Sequence, residues 1–373
     1  MTELKPTTLL GLTLQELTQL AEESGQPPYR GRQLFEAIYA HRIAASEQIS
    51  TLPQDFRARL SHQGLAVGLP VITRKFSSSD GTVRYLMEFG DGQTVETVWM
   101  PEGDNGEAGD GSEAGSQAED TGRTRDRSTI CVSSQAGCAV DCQFCLTALL
   151  GLKRNLTAGE IVGQVCAVLN DQQVSPPQSR VNIVFMGMGE PFLNYDNFMK
   201  AARLLVEGVG IAESRMTVST AGIVPRIYDF GAEPIRPKLA ISLNASNDEL
   251  RTRLMPINHK WNLQQLMAAA RDFPLKNREK VTFEYVLLEG INDGAQNARE
   301  LVELIRGLRA KINLIALNPG PGIAFQTPTE ARVTEFKQIL RSAGVPAFVR
   351  RPRGRDIYAA CGQLKRSLEA GAA

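Results

Sequence analysis

From Ser128 onward the chain alternates short apolar, β-branched runs with stretches of helical period, and that alternation limits the possible folds more than any other feature. STICVSS, VNIVFMG (181–187), RMTVST (215–220), PKLAISLNA (237–245), KVTFEYVLL (280–288), KINLIALN (311–318) and PAFVR (346–350) read as strands. Residues 157–172, 195–208, 223–231, 247–254, 263–272, 294–308 and 329–343 read as the helices between them. Strands this apolar are buried on both faces, which requires a parallel sheet covered by helices. Six such units predict an α/β chain built on a partial (β/α)6 barrel over 128–345.

Barrels of this kind collect their chemistry at the carboxyl ends of the strands. After the first strand the stretch from Cys131 to Thr157 holds four of the six cysteines. Cys138, Cys142 and Cys145 stand at C-x3-C-x2-C, with Phe144 just before the last, and a short loop presenting three thiols calls for a metal centre. A structural zinc takes four protein ligands in paired short spacings, and neither a second C-x2-C nor a nearby His follows here. Iron-sulfur clusters are held by Cys thiolates, and three of them on a four-iron cluster leave one iron open to a small molecule. The loop matches the radical-SAM pattern C-x3-C-x-aromatic-C, in which the cofactors do the chemistry and the protein binds and orients them. Three buried structural cysteines or an incomplete zinc site are the alternatives, and the spacing disfavours them.

Later strand ends carry polar residues too. Met186-Gly187-Met188-Gly189-Glu190-Pro191 offers glycines that let backbone approach a ligand and a carboxylate, Glu190, that can receive an ammonium group. Ser219 and Thr220, Ser242 and Asn244, and Asn318 end further strands. Singly each reads as a turn or cap residue. Jointly they form a ring of short hydrogen-bonding side chains suited to a ribose and an amino-acid carboxylate.

Outside the barrel four segments differ in character. Residues 1–65 read as a helical domain, with Thr13 capping LQELTQLAEESG, Gly25 ending it, and GRQLFEAIYAHRI and PQDFRARLSHQ following. Its arginines Arg30, Arg32, Arg42, Arg57 and Arg59 make either a solvated surface or a nucleic-acid-contacting one. Residues 66–101 read as a small antiparallel meander, VITRKFS, TVRYLMEFG and TVETVWM. Taken alone, Glu96 in its last run is an edge-strand surface carboxylate. Residues 102–127, rich in Gly, Ser and Glu, read as a disordered acidic insert that leaves and rejoins the fold near the active face. In 346–373, Arg350, Arg351, Arg353 and Arg355 precede Cys361, a pattern of phosphate contact beside a thiol of lowered pKa, or else of a basic tail with an inert cysteine. Cys166, in IVGQVCAVLN, reads as core.

Charge and hydropathy narrow the partners. The 41 basic and 41 acidic side chains cancel, which at first sight argues against nucleic acid. Seven of the acidic ones lie in 102–120, where no basic residue occurs, so 41 basic against 34 acidic remain elsewhere, a surplus of seven. No apolar run approaches the roughly 20 residues that cross a bilayer, and the start lacks a basic stretch followed by an apolar one. The expectation is a cytoplasmic protein without membrane contact, in a reducing compartment that suits a thiolate-bound cluster.

The motifs CVSSQAGC, CQFC, GLKRNLT, FMGMGEP, VSTAGIVP, LMPIN, INLIALNPGPG and AACGQL, with PPYRGRQLFEAIY upstream, resemble the radical-SAM adenosine methyltransferases of the RlmN and Cfr type, and RlmN more nearly. The resemblance implies methylation of adenine at C2, or at C8 in the Cfr branch, in 23S ribosomal RNA, transfer RNA or both. It implies one [4Fe-4S] cluster on Cys138, Cys142 and Cys145, and S-adenosylmethionine (SAM) held by Gly189, Glu190, Ser219, Ser242, Leu243, Asn244 and Asn318.

In that scheme one SAM methylates Cys361 by displacement and a second, on the open iron, is cleaved to a deoxyadenosyl radical that takes hydrogen from the S-methyl group. The methylene radical adds to adenine, Glu96 accepts the ring proton, and Cys131 resolves the protein-RNA crosslink through a transient disulfide with Cys361. The role of Glu96 reverses the surface reading and demands a pKa raised from about 4. Flavodoxin or a ferredoxin is the implied electron donor, and a monomer the implied state. Three positions depart from the family pattern: Asn244 where His is usual, Leu146 where a small residue is, and Tyr358 where Asp is. A radical-SAM enzyme of another substrate class has no need for both Cys131 and Cys361, and an RNA-binding protein with a structural cluster has no need for an open iron.

Overall fold

The computed structural model describes residues 8–101, 127–176, 178–360 and 362–364; Cys361 and the acidic stretch 102–126 lie outside the described residues. Helix α1 (Leu14–Glu23) starts where Thr13 and Glu16 form a reciprocal capping box. Helix α2 (Tyr29–Phe35) runs on into a π-helical turn, Glu36–Ala40, and α3 (Gln54–His62) follows. These helices share one continuous apolar core with the rest of the molecule. Tyr39 fixes the joint, accepting from Gly11 N at 2.9 Å and donating to the Leu12 carbonyl at 2.7 Å.

Strands β1 (Val71–Ser77), β2 (Val83–Glu88) and β3 (Thr94–Pro101) form the antiparallel meander. It is not a separate layer, because β3 pairs antiparallel with β4 (Arg127–Cys131), the first barrel strand. Next come a hairpin, β5 (Gln135–Gly137) with β6 (Leu152–Asn155), and helix α4 (Ala158–Asp171). The alternation then runs β7 (Arg180–Phe185), α5 (Tyr195–Glu207), β8 (Met216–Thr220), α6 (Val224–Ala232), β9 (Lys238–Ser242) and α7 (Asp248–Leu254). It ends with α8 (Leu263–Asp272), β10 (Val281–Leu287), α9 (Ala295–Leu304), β11 (Ala310–Ala316), α10 (Glu330–Ser342) and β12 (Ala347–Val349). The ten-stranded sheet has the order β1-β2-β3-β4-β7-β8-β9-β10-β11-β12, parallel from β4 onward. The predicted partial barrel is the observed fold.

One expectation is corrected. Glu96 is no edge-strand surface group: β3 is paired on both sides and the residue is fully buried. The chain leaves β3 at Pro101, which pairs with Ser128 at the start of β4. Among the described residues no helix is long and apolar enough to cross a membrane.

Candidate active site

Pairing of β5 with β6 ties the base of the cysteine loop, a closure the sequence reading did not anticipate. Above it Cys138, Cys142 and Cys145 line one cavity together with Gly189, Glu190, Ser219, Ser242, Asn244 and Asn318. Burial pushes the Cys138 thiol up to about 12 and the Cys142 thiol well above its ordinary value, so a bound cation must displace their protons before either acts as a ligand. Among the described residues no three His, Cys, Asp or Glu side chains converge closely enough for a single ion. Three thiols lining one cavity instead fit a multi-iron cluster, and the short polar groups beside them fit a small polar ligand of its open iron.

The strand ends are held by their own hydrogen bonds. Gly189 has φ of +99°, and a Cβ there would lie 2.5 Å from the Gln135 side chain, so this turn requires glycine. The next residue, Glu190, donates its N–H to Gln135 Oε1 at 2.9 Å. Its carboxylate accepts from Phe192 N at 2.9 Å and Ala221 N at 2.6 Å. Burial raises the Glu190 carboxyl to about 7, with these backbone donors opposing. Ser219 and Ser242 share a hydrogen bond of 3.1 Å. Asn244 has φ of +57°, a conformation Asn tolerates better than most residues, and this ends β9 three residues before the predicted limit. Its Oδ1 is already taken by Val286 N at 2.8 Å. Leu243 does not line the cavity; its side chain is in the core.

A second cavity adjoins the first, sharing Cys145, Met186, Gly187, Asn318, Arg350 and Gly362 with it. Its walls are Val98, Met100, Thr129, Cys131 and Val184 on one side, and Arg350, Arg351, Arg353, Ala360 and Gly362 on the other. Glu96 stands two residues before Val98 on the same face of β3 and is ion-paired with Arg84 at 2.7 Å, both side chains buried. Ser133 braces this corner, donating to the Glu96 carbonyl at 2.6 Å and accepting from Met188 N at 2.9 Å. The chain just after Cys361 is pinned as well, since Leu146 N donates to the Gly362 carbonyl at 2.8 Å and Gln363 Nε2 to the Pro319 carbonyl at 2.8 Å. Between the cavities Glu284 accepts from Asn313 Nδ2 at 3.0 Å and faces Arg350 at 3.6 Å.

Cys131, Cys138, Cys142, Cys145 and Cys166 are all free thiols, and Cys166 is buried in the core as expected. The expected Cys131–Cys361 pairing involves a residue outside the described ones. Of the N-terminal arginines, Arg30, Arg42, Arg57 and Arg59 spend hydrogen bonds on neighbouring segments of their own chain, such as Arg42 on Asn170 at 2.9 Å. Sequence reasoning passed over Arg84, Arg251 and Glu284. The one available signal was a charge set within an apolar strand, as in TFEYV and TVRYL.

With this geometry in view the comparisons become informative. The Radical SAM superfamily model matches residues 132–305, and the model of the ribosomal RNA large subunit methyltransferase N-terminal domain matches 7–65. A probable dual-specificity RNA methyltransferase RlmN of Koribacter versatilis is 65% identical over 93% of this chain and 98% of its own length. The dual-specificity RNA methyltransferase RlmN of Syntrophobacter fumaroxidans is 43% identical over 97% and 98%. A crystal structure of a radical SAM methyltransferase from Sphaerobacter thermophilus superposes with a TM-score of 0.86 at 42% identity, covering 96% of this chain and 99% of that one. Fold, cysteine loop and relatives agree, and the chain belongs to the RlmN family of radical-SAM RNA methyltransferases.

Proposed function

We propose that the protein methylates C2 of adenosine in RNA, ribosomal, transfer or both, through an S-methylcysteine at Cys361 and with two SAM per turnover. One observation carries this reading: Ala360 and Gly362, the neighbours of Cys361, line a cavity with Cys131 that opens into the cavity of the cysteine loop. In this proposal Cys361 carries the methyl group from a ligand on the cysteine side to a base on the arginine side. The names of the relatives, dual-specificity RNA methyltransferases, support RNA as the substrate class.

In this reading Cys138, Cys142 and Cys145 hold a [4Fe-4S] cluster, which when bound supplies the electron that cleaves SAM. Gly189 and Glu190 receive the amino-acid end of SAM, and Ser219, Ser242, Asn244 and Asn318 the rest, while Leu243, whose N–H donates to the Glu284 carbonyl and whose carbonyl accepts from Arg251, only holds the strand end in place. Cys361 accepts a methyl group from the first SAM and presents it to the base. Glu96 takes the proton from the ring carbon, and Cys131 then attacks Cys361 to free the product. Arg350, Arg351 and Arg353 meet RNA phosphates, steering an adenine out of its stack and into the second cavity. Residues 1–65 and 346–373 serve as the RNA-facing parts, 66–101 as a strand extension carrying Glu96, and 128–345 as the catalytic barrel. The working protein is a cytoplasmic monomer that receives electrons from flavodoxin or a ferredoxin.

Nucleoside mass spectrometry on unmodified ribosomal and transfer RNA, treated anaerobically with reconstituted protein, SAM and reductant, tests the proposal. 2-Methyladenosine is expected; 8-methyladenosine instead moves the target to C8. Deoxyadenosine without any methyladenosine overturns the RNA assignment. Cys361→Ala is expected to keep the cluster and SAM binding while transferring no methyl group, and retained methylation in that variant sinks the covalent route.

A further inference from the structure

Arg251, on α7, is a fully buried arginine whose hydrogen bonds go to neutral oxygens. Nε donates to the Leu243 carbonyl at 3.2 Å, Nη1 to Asn258 Oδ1 at 3.0 Å, and Nη2 to the carbonyls of Ala221 at 2.7 Å and Ser242 at 3.3 Å. A buried cation in such company is costly unless an opposite charge lies near. Asp248, an acid close by on the same helix, is engaged elsewhere, accepting from Asn258 Nδ2 at 2.8 Å and Leu263 N at 2.9 Å. Burial pushes the Arg251 guanidinium down to about 10, and the charges that oppose this are those of Cys142 and Asp248.

The location matches that electrostatic link. The Leu254 carbonyl at the end of α7 accepts from Gln143 N at 3.0 Å, inside the cysteine loop and next to Cys142. Ala221 and Ser242, whose carbonyls Arg251 holds, line the cavity that the three thiols line. One side chain thus joins the ends of β8 and β9 to the helix that braces the loop.

We propose that Arg251 is the counter-charge of the cysteine loop, a positioning residue whose guanidinium offsets the negative charge of the three thiolates and their cluster and so raises the cluster's reduction potential. The inference rests on the cluster reading above. Its logic is Coulombic: a fixed positive charge in a low-dielectric site favours the more negative, reduced state of the centre beside it. The three bonds to strand-end carbonyls additionally fix the spacing of the SAM-side residues.

The test is an EPR-monitored redox titration of the reconstituted protein without SAM, alongside thermal unfolding. Arg251→Met is expected to shift the cluster midpoint to more negative potential. Arg251→Gln, which still donates to one carbonyl, carries the same test should the Met variant fail to fold. Arg251→Lys keeps the charge and loses the fork, so it is expected to lose as much thermal stability as the Gln variant with a midpoint nearer wild type. Loss of stability in all variants with an unmoved midpoint in the neutral ones overturns the proposal and leaves Arg251 a purely structural clamp. A wild-type protein that takes up no iron and sulfide overturns the cluster reading itself, which is a distinguishable failure.

Discussion

The two adjoining cavities are assembled in different ways. Around the cysteine cavity, Glu190, Ser219, Ser242 and Asn318 each lie at or just beyond the end of a parallel strand, Glu284 points in from the middle of β10, and consecutive strands are neighbours in the sheet. The arginine cavity is closed instead by β3 and β4 on one side and by the chain beyond β12 on the other. That closure is fastened by the turn between β1 and β2: Ser78 Oγ bonds Asp356 at 2.6 Å, and Asp80 accepts from Gly354 N at 3.0 Å. The cysteine cavity is therefore built mainly by successive barrel strands, with Arg350 and Gly362 its contribution from the terminal segment. The arginine cavity closes only when segments from opposite ends of the chain meet, so its closure can be perturbed apart from the barrel's.

Separability is the property to attack. The largest effect is expected from Cys142→Ala: iron uptake on reconstitution should vanish, while affinity for an unmodified RNA fragment, read by filter binding, stays within about twofold because the arginines proposed to meet phosphate are elsewhere. A parallel collapse of RNA affinity would break the comparison. Next is Glu96→Gln, which removes one charge of a buried ion pair with Arg84 at 2.7 Å. It should cost about 3 kcal/mol in urea unfolding of the apo-protein, since the other charge is left buried, yet leave cluster loading intact.

A smaller effect is expected where the cavities touch. A Cβ on Gly320 would lie 2.5 Å from the side chain of Leu146, which is itself buried. Gly320→Ala should therefore destabilise by roughly 1–3 kcal/mol, and adding Leu146→Ala should recover most of it in the same unfolding measurement. The departure at Leu146 is thus matched by open space over Gly320. Smallest of all is the Asp80 latch. Burial opposes its ionisation, but hydrogen bonds from Gly354 N and Thr82 hold its carboxyl down to about 2. The stabilisation is fully present above about pH 4 and fades as pH falls toward 2. Asp80→Asn should flatten that acid limb by under about 1 kcal/mol, the group being largely exposed.

Legibility in the sequence followed the same division. Cysteine spacing, the glycine turn before Glu190 and the cap at Thr13 are local patterns, and each stands in the structure where its pattern put it. Barrel helices were readable to within about a residue at most ends because burial repeats at helical period; α9 stops at Leu304, earlier than predicted. Glu96 was not readable from β3 alone, since its burial depends on β2 and β4 pairing on either side. Arg84, Arg251 and Glu284 escaped for a related reason. A charged residue among apolar ones reads as surface until the partner that accepts its charge is known, and those partners are distant in sequence for Arg84 and Glu284 or are backbone carbonyls for Arg251.

The pairing of Pro101 with Ser128 makes the chain between β3 and β4 a seam. The two strands are in register as a hairpin whatever joins them, so length added or removed there changes closure entropy only logarithmically. The same seam is where the protein can be divided into two fragments that reassemble through strand pairing, or where a reporter can be spliced in with the catalytic barrel left as it is.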